Sequence, residues 1–407
     1  MHTRRTLHRT NLRTVLMKLS VSAALLFAGV FGTTASLFAQ DGATLEQPQA
    51  YFTVLPPKGI NAQALIAPAS ATATTIPMWN YSITSPLDGH SYSGTMVGRS
   101  PFFHGARTTD VPTVIVPLKI VFSTGATFDP TVTDSTCSPS GTPLSLTQRS
   151  PLFVPLDISM GGVDMGVTQY VDAFQRANFW TNVSPTGTSY HTTLSPVTTL
   201  SAVTVNVPAA DGSVFSTTAY GGCGGTIGVM NLSWFDTEVT GTIIPSLAGS
   251  GVSPTTFPIF LLKNVVMTNG TPSFPNNCCI LGYHGSSGLQ TYSPADYETS
   301  GIFGGGVSTL TAMSHEIGEW MDDPIGNNPT PAWGKIGQQT GCQSNLEVGD
   351  PLSGTEFPAL LASNGFTYHL QELAFFSWFY RQVPSLGVND WYSDNGTFKS
   401  DAGAACM

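Results

Sequence analysis

The stretch STLTAMSHEIGEWMDDP, residues 308–324, carries the strongest structural signal in the chain. At about 100° per residue its apolar side chains share one face of a helix, namely Leu310, Met313, Ile317, Trp320 and Met321. A glycine loop at 304–306 precedes it, Ser308 is a candidate N-cap, and Asp322-Asp323-Pro324 provides a stop. The pattern predicts a helix that packs on a core through its apolar face.

The opposite face of this helix carries a His-Glu pair. His315 and Glu319 are one helical turn apart, so their side chains point the same way and can bind one ion. The small Gly318 beside them would leave room for a ligand. Glu316 projects to the side, where it can accept a proton from an attacking water, as the glutamate of H-E-x-x-H zinc peptidases does. Glu319 replaces the second histidine of that motif, which shifts the preference from Zn²⁺ somewhat toward harder divalent ions such as Mn²⁺.

A third ligand is expected from NLEVGDP, residues 345–351. Peptidases of the gluzincin class take a glutamate ligand from a later segment. By analogy we predict Glu347 as the ligand and Asp350 as the residue that supports a ligand histidine by hydrogen bonding. The reverse assignment, with Asp350 on the metal, is the alternative. The chain has only 8 Glu in 407 residues, so three of them in one candidate site favour a functional cluster over an ordinary surface helix.

The order of these motifs resembles that of a group of secreted zincin-like bacterial proteins. The matching residues are Gly282-Tyr283-His284, Ser314–Glu319 with Asp323-Pro324, Trp333 and Glu347–Asp350. More remotely, they are similar to the phosphate-induced, EXORDIUM-like family. The resemblance covers roughly residues 280–352 and implies a zincin-type fold with a bound metal.

The N-terminus has the residue order of a secretory signal. Five basic residues precede an apolar run at 19–31, and small residues follow at 33–39. We predict a signal peptide over residues 1–40, cleaved after Ala35 or Ala39, and a secreted or periplasmic protein. The mature chain then has 10 Lys+Arg against 25 Asp+Glu, a formal charge of −15. This charge argues against nucleic acid and, after leader removal, against anionic membranes as partners.

The cysteine content fits an oxidising compartment. Six cysteines follow the leader, which allows up to three disulfides: Cys137, Cys223, Cys278, Cys279, Cys342 and Cys406. The neighbours Cys278 and Cys279 would form a strained ring, so each is expected to pair elsewhere. The six cysteines include no Cys-x-x-Cys pair, which argues against a thiolate zinc site.

The predicted architecture is α+β. Residues 41–75 are interpreted as a linker or pro-segment, 76–165 as a β-rich N-terminal part, and 166–407 as a zincin-like metallopeptidase domain with an active-site helix. Strands are expected at 114–122, 197–207 and 257–267, and a first helix at 168–180.

Together these features predict a secreted zinc-dependent peptidase that acts on extracellular protein or peptide. His284 and His369 are further candidates for the cleft. His284 is equally well explained as a structural histidine, and the aromatic segment after His369 is typical of a core. Two alternatives stay open. One is a non-catalytic extracellular binding protein on a metal-binding zincin-like scaffold, and the other is a β-rich surface protein without metal.

Overall fold

Strands dominate the described part of the chain. The computed structural model describes residues 47–407 except 60–73, 104–106, 138–139, 187–188, 224, 305, 402–405 and 407. The predicted signal peptide lies outside these residues. All described residues fall within one compact unit, Thr44–Met407. Among them, no helix combines the length and apolar character needed to cross a membrane.

The strands, in chain order, are β1 (Tyr51–Val54), β2 (Met78–Thr84), β3 (Ser91–Val97), β4 (Arg107–Phe122), β5 (Thr127–Phe128), β6 (Leu156–Met160), β7 (Val163–Thr168), β8 (Tyr190–Thr199), β9 (Val203–Val207), β10 (Gly212–Ser216), β11 (Thr226–Asn231), β12 (Phe257–Lys263), β13 (Val265–Thr268), β14 (Ile280–Ser287), β15 (Gln290–Tyr297), β16 (Pro329–Ile336), β17 (Gln339–Asn345), β18 (Glu356–Leu361) and β19 (Thr367–Gln371). The helices are α1 (Pro143–Gln148), α2 (Tyr170–Asn178), α3 (Trp180–Val183), α4 (Leu232–Glu238), α5 (Ile244–Leu247), α6 (Thr311–Asp322) and α7 (Phe376–Phe379).

An 11-stranded mixed sheet forms the centre of the fold. Its main path runs β10-β11-β13-β14-β15-β12-β4-β5, while β8 and β9 pair with β4, and β1 pairs with β14. Strand β13 meets β14 only at Met267 and Ile280. The short strand β1 then runs parallel to β14 from Ile280 to His284. Strand β1 therefore occupies the part of the β14 edge with which β13 does not pair.

Both faces of this sheet are covered. Strands β12 to β15 are buried almost throughout, as expected for strands with structure on either side. One core contains the apolar residues of α2 and α6. A second core contains the apolar residues of α4 together with strand residues such as Val116 and Tyr283. Helix α6 is thus enclosed between the sheet and the C-terminal segments.

The prediction of a zincin-like α+β fold is wrong. The structure is β-rich, with 40% strand and 20% helix, and its mixed sheet curls into a half-barrel instead of supporting a helix-rich metallopeptidase domain. The reason lies in long-range strand pairing. Strand β4 pairs in parallel with β12 as well as with β8 and β9, so segments far apart in sequence close one curved sheet.

Several local predictions are confirmed, with shifted boundaries. Strand β4 includes 114–122, and α2 lies within 168–180. The segment 257–267 is divided into β12 and β13 at Asn264, which has a φ of 49°. Helix α6 ends at Asp322 as predicted, but it begins at Thr311, and Leu310 occupies the N-cap position. Ser308 is therefore not the cap; its N–H instead donates to Thr311 Oγ1 at 3.1 Å.

All six cysteines form disulfides: Cys137–Cys223, Cys278–Cys279 and Cys342–Cys406. The expectation that Cys278 and Cys279 pair elsewhere is wrong. It assumed the ordinary trans peptide bond, which holds neighbouring Cα atoms about 3.8 Å apart. Here the bond is cis, and the two Cα atoms are 3.1 Å apart.

Denatured, unreduced protein should therefore show no reactive thiol, because no cysteine is free. A chromogenic thiol titration in denaturant checks this, and the same sample after reduction should give all six. Two or more reactive thiols before reduction would contradict the pairing.

Candidate metal site

Helix α6 lies in the interior of the protein. It packs against β14, β15 and β19, and all 12 of its residues are buried. Trp320, on the apolar face, stacks on Phe257 with ring centroids 3.5 Å apart. The space beside Gly318 is not left for a ligand, since a Cβ there would come 2.4 Å from Leu373 Cδ1. The apolar face contacts the core as predicted, and the His-Glu pair is buried with it.

His315 is held with one ring nitrogen facing carboxylates. Its Nδ1 lies 3.0 Å from Gln371 Oε1, and Gln371 Nε2 donates to the Gly349 carbonyl at 2.7 Å. Because Gln371 presents an acceptor here, Nδ1 carries a hydrogen, and Nε2 points away from Gln371. His315 Nε2 is 3.0 Å from Glu319 Oε1 and 3.6 Å from Asp350 Oδ1.

The glycine of the E-V-G-D motif has a steric role at this histidine. A Cβ on Gly349 would lie 2.5 Å from His315 Cε1, so a larger residue would displace the ring. Its backbone N–H also donates to Glu319 Oε1 at 3.1 Å. Gly349 therefore brings a backbone donor against the His-Glu pair without crowding it.

Glu319 lies between two imidazoles. On its second side, Glu319 Oε2 is 3.7 Å from His284 Nδ1, and that nitrogen is 3.1 Å from Glu316 Oε2. A Cβ on Gly282 would come 2.8 Å from Glu316 Cγ, so the glycine of Gly-Tyr-His makes room for this carboxylate. The structure thus brings His284 into the cluster with Glu316 and Glu319.

Asp350 and Glu347 are both buried, but only Asp350 lies close to His315. His315, Glu319 and Asp350 each offer an atom within 4.8 Å of the other two, and His284, Glu316 and Glu319 form a second such group. Glu347 belongs to neither group: its Oε1 accepts from Asn345 Nδ2 at 3.3 Å, and its carboxyl is hydrogen-bonded to that of Glu319. Of the two assignments left open by the sequence, this geometry favours Asp350 as the third ligand.

Four buried atoms of this cluster lack hydrogen-bond partners among the described residues: His284 Nε2, His315 Nε2, Glu316 Oε1 and Glu319 Oε2. His315 Nε2 faces only carboxylates, with Glu319 Oε1 at 3.0 Å and Asp350 Oδ1 at 3.6 Å. Buried polar groups are normally paired, and an exception calls for a ligand, ion or water. Imidazole nitrogen and carboxylate oxygens are a donor set that fits Zn²⁺ or Mn²⁺.

The charges in the cluster also favour a cation. Burial raises the pKa of Glu316, Glu347 and Asp350, and the charge of Glu319 raises each of them further. Burial lowers the pKa of His284 to about 4, so this ring is neutral. Although burial opposes it, the charge of Glu319 raises the pKa of His315, so these two residues balance one another. Each further carboxyl that ionises would then add an uncompensated negative charge, which a divalent cation would balance.

The metal-free protein should lose stability as pH rises from about 5 to 8. Glu316, Glu347 and Asp350 have pKa values raised above the ordinary range near 4. The folded chain then binds protons more strongly than the unfolded chain, so stability is full below the ordinary pKa and is lost as pH rises toward the raised one. We expect a loss of at least about 1.4 kcal/mol, the equivalent of one unit on one group.

Urea unfolding of chelator-treated protein at pH 5 and pH 8 measures this effect. Glu347→Gln is the control, because it removes one of the buried carboxylates and should flatten the pH dependence. Stability of the metal-free protein that rises over this interval would contradict the electrostatic argument.

His369 lies outside the cluster. Its Nδ1 is 2.6 Å from Glu356 Oε1, and its side chain is 33% exposed. The aromatic segment after it forms part of the core, including Phe375, Phe376 and Trp378. Sequence reasoning missed Gln371, which orients His315. It also missed Phe52, whose ring stacks on His315 at 4.0 Å; neither residue belongs to a motif that could have identified it.

Comparisons of the chain with protein-family models, with curated proteins and with solved structures give no match.

Proposed function

We propose that this protein is a secreted, metal-dependent hydrolase of peptide bonds in extracellular proteins or peptides. The observation that supports the proposal is a buried cluster in which Glu319 belongs to two groups of potential metal ligands, one with His315 and Asp350 and one with His284 and Glu316. Within it, His315 Nε2, Glu316 Oε1 and Glu319 Oε2 have no hydrogen-bond partner among the described residues. An unsatisfied buried polar atom costs about 1–3 kcal/mol. Packing alone does not explain these atoms, whereas a cation held by His315, Glu319 and Asp350 would satisfy those of His315 and Glu319 and would leave Glu316 Oε1 to bind water.

His315, Glu319 and Asp350 would hold the ion, with Gln371 fixing the orientation of the imidazole. Zn²⁺ is the first candidate, and Mn²⁺ also suits a site with two carboxylates. A divalent ion bound here would supply a Lewis acid that polarises the scissile carbonyl and lowers the pKa of water.

Glu316 is the proposed general base. Its Oε2 contacts His284 Nδ1 at 3.1 Å, which fixes the carboxylate, while its Oε1 is unpartnered. Glu316 would take a proton from the attacking water and pass it to the leaving nitrogen as the carbon–nitrogen bond breaks. Since burial keeps His284 neutral, the histidine positions the base without the full charge of an imidazolium.

Export is part of the proposal. Disulfides persist in oxidising compartments and are rare in the cytosol, and this chain forms three. The signal peptide predicted over residues 1–40 is consistent with that location.

A second candidate is a non-catalytic extracellular binding protein that holds the metal for structural reasons. The complete burial of the site favours it. His284, His315, Glu316 and Glu319 have side chains that are 0% exposed, so the described residues enclose the site and leave no opening for a polypeptide.

Digestion of a broad peptide library by the metal-loaded protein separates the two candidates. The hydrolase should cut peptides, stop after chelation, and recover when Zn²⁺ or Mn²⁺ is restored. A bound, stoichiometric metal with no cleavage under any of these conditions would support the binding protein and contradict the hydrolase.

A further inference from the structure

Strand β1 covers the cluster of candidate metal ligands. Phe52 is 3% exposed, and its ring lies on the His315 imidazole with 4.0 Å between centroids and 23° between planes. Its partner on β14 is Gly282, where a Cβ would come 2.8 Å from Glu316 Cγ. The strand therefore lies where a substrate backbone would have to approach both the ligand histidine and the proposed base.

The groove binds β1 through its backbone. Tyr51 N–H donates to the Cys279 carbonyl at 2.8 Å, and Leu55 N–H donates to the His284 carbonyl at 3.0 Å. On the other side, Gln338 Oε1 accepts the Phe52 N–H at 2.9 Å, and Gln338 Nε2 donates to the Phe52 carbonyl at 2.9 Å. One side-chain amide thus pairs both backbone groups of one residue, as a neighbouring strand would.

This mode of recognition does not depend on side-chain identity, except at Phe52. Strand addition to a sheet edge obtains affinity from main-chain hydrogen bonds and specificity from pockets for alternate side chains. Gln338 also donates to the Asp350 carboxylate, so the backbone clamp is connected to a proposed ligand.

Space continues beside the strand. A cavity of about 410 Å³ borders Tyr51 and Phe52 and is lined further by Asn269, Asn277, Cys278 and Gln339. This is within the size range, roughly 300–1,000 Å³, of sites that hold small ligands. Its polar amides can pair with further backbone groups of an extended chain.

We propose that the groove beside β14 is a binding site for an extended polypeptide with an aromatic residue opposite His315, and that residues 51–54 occupy it in cis and keep the metal site closed. The inference that β1 closes a metal site rests on the proposed function, whereas the inference that the groove binds a peptide does not. A peptide ligand must exchange with β1, and its apparent affinity is reduced by the fraction of protein in which β1 is docked.

Phe52→Asp tests this exchange in the full-length mature protein. The new carboxylate would lie against His315 and near Glu319 and Asp350, so it should release β1. The probe is a fluorescent synthetic peptide of residues 49–56, followed by anisotropy. Its affinity for the variant should be at least about 10-fold higher than for the wild type. The same peptide with Asp in place of Phe52 should not bind.

Metal release to an excess of chelator is the second readout, and it should be at least about 10-fold faster in Phe52→Asp. Phe103→Asp makes the same change at a side chain that is 64% exposed and should match the wild type in both measurements. Peptide binding is measured on metal-free protein as well, so the groove is tested even if no metal binds.

The outcomes separate the two proposals. A folded Phe52→Asp that neither binds the peptide more tightly nor releases metal faster overturns the exchange, while leaving the metal site intact. If Phe52→Asp does not unfold cooperatively, the same measurements are made on Phe52→Ala. Failure of both to fold would make β1 a permanent part of the core and would also overturn the exchange.

Discussion

His315→Ala should lower the affinity of the protein for Zn²⁺ by more than about 100-fold. Loss of a residue that only supports a ligand costs about 10–100-fold in affinity, and a direct ligand should cost more. His315 Nε2 is the only imidazole nitrogen in the group formed with Glu319 and Asp350, so alanine leaves two carboxylates to hold the ion. Competition with a chromogenic chelator measures the affinity.

His369→Ala is the matched control for this variant. That histidine also has a close carboxylate partner, Glu356 at 2.6 Å, but it lies outside both ligand groups. It should bind Zn²⁺ like the wild type. Full affinity in His315→Ala would show that the ligand assignment is wrong.

The same assay decides between the two candidates for the third ligand. Asp350 lies 3.6 Å from His315 Nε2, whereas Glu347 lies outside the group. Asp350→Asn should therefore weaken binding more than Glu347→Gln does. The opposite order would restore Glu347 as the ligand, as first inferred from the motif.

Glu316→Gln should reduce peptide hydrolysis by about 100- to 10,000-fold, the usual contribution of a general base, and should leave the metal content unchanged. The amide keeps the size of the carboxylate but cannot accept a proton from water. Hydrolysis of a peptide identified in the library digest gives the rate, and elemental analysis of the same sample gives the metal content.

Glu356→Gln is the matched control, because it makes the same change at a carboxylate that is paired with His369 outside the cluster. It should retain wild-type hydrolysis. If Glu316→Gln instead releases the metal, the ion belongs to the group of His284, Glu316 and Glu319. The base and ligand roles would then have to be exchanged.

What the sequence predicts best is local. The periodicity of 310–321 identifies α6 and its apolar face, and the stop at Asp322–Pro324 is correct. The spacing of His315 and Glu319 places them on one side of the helix, and the structure brings them to 3.0 Å. These properties depend on neighbours within one helical turn, so a short stretch of sequence determines them.

What the sequence leaves undetermined is long-range. The contact between Phe52 and Gln338 joins residues 286 positions apart. Neither the composition of the chain nor its hydrophobic periodicity predicts this contact. Residues 41–75 look like a linker because they lack a sustained period, yet four of them form β1. A strand this short has too few residues to show a pattern of its own.

The fold itself shows the same limit. Periodicity finds the strand within 114–122, but it does not indicate that β4 is 16 residues long or that it pairs with β12, β8 and β9. The order of strands in a sheet depends on pairings that are non-local in sequence. The spacing of His315, Glu316 and Glu319 along one helix therefore does not determine the sheet around it.

Elemental analysis of the mature protein, purified without chelators, tests the existence of the metal site most directly. The convergence of His315, Glu319 and Asp350 predicts one equivalent of a divalent metal, Zn²⁺ or Mn²⁺, per chain. Protein that contains no metal, and takes up none on dialysis against Zn²⁺ or Mn²⁺, would contradict it.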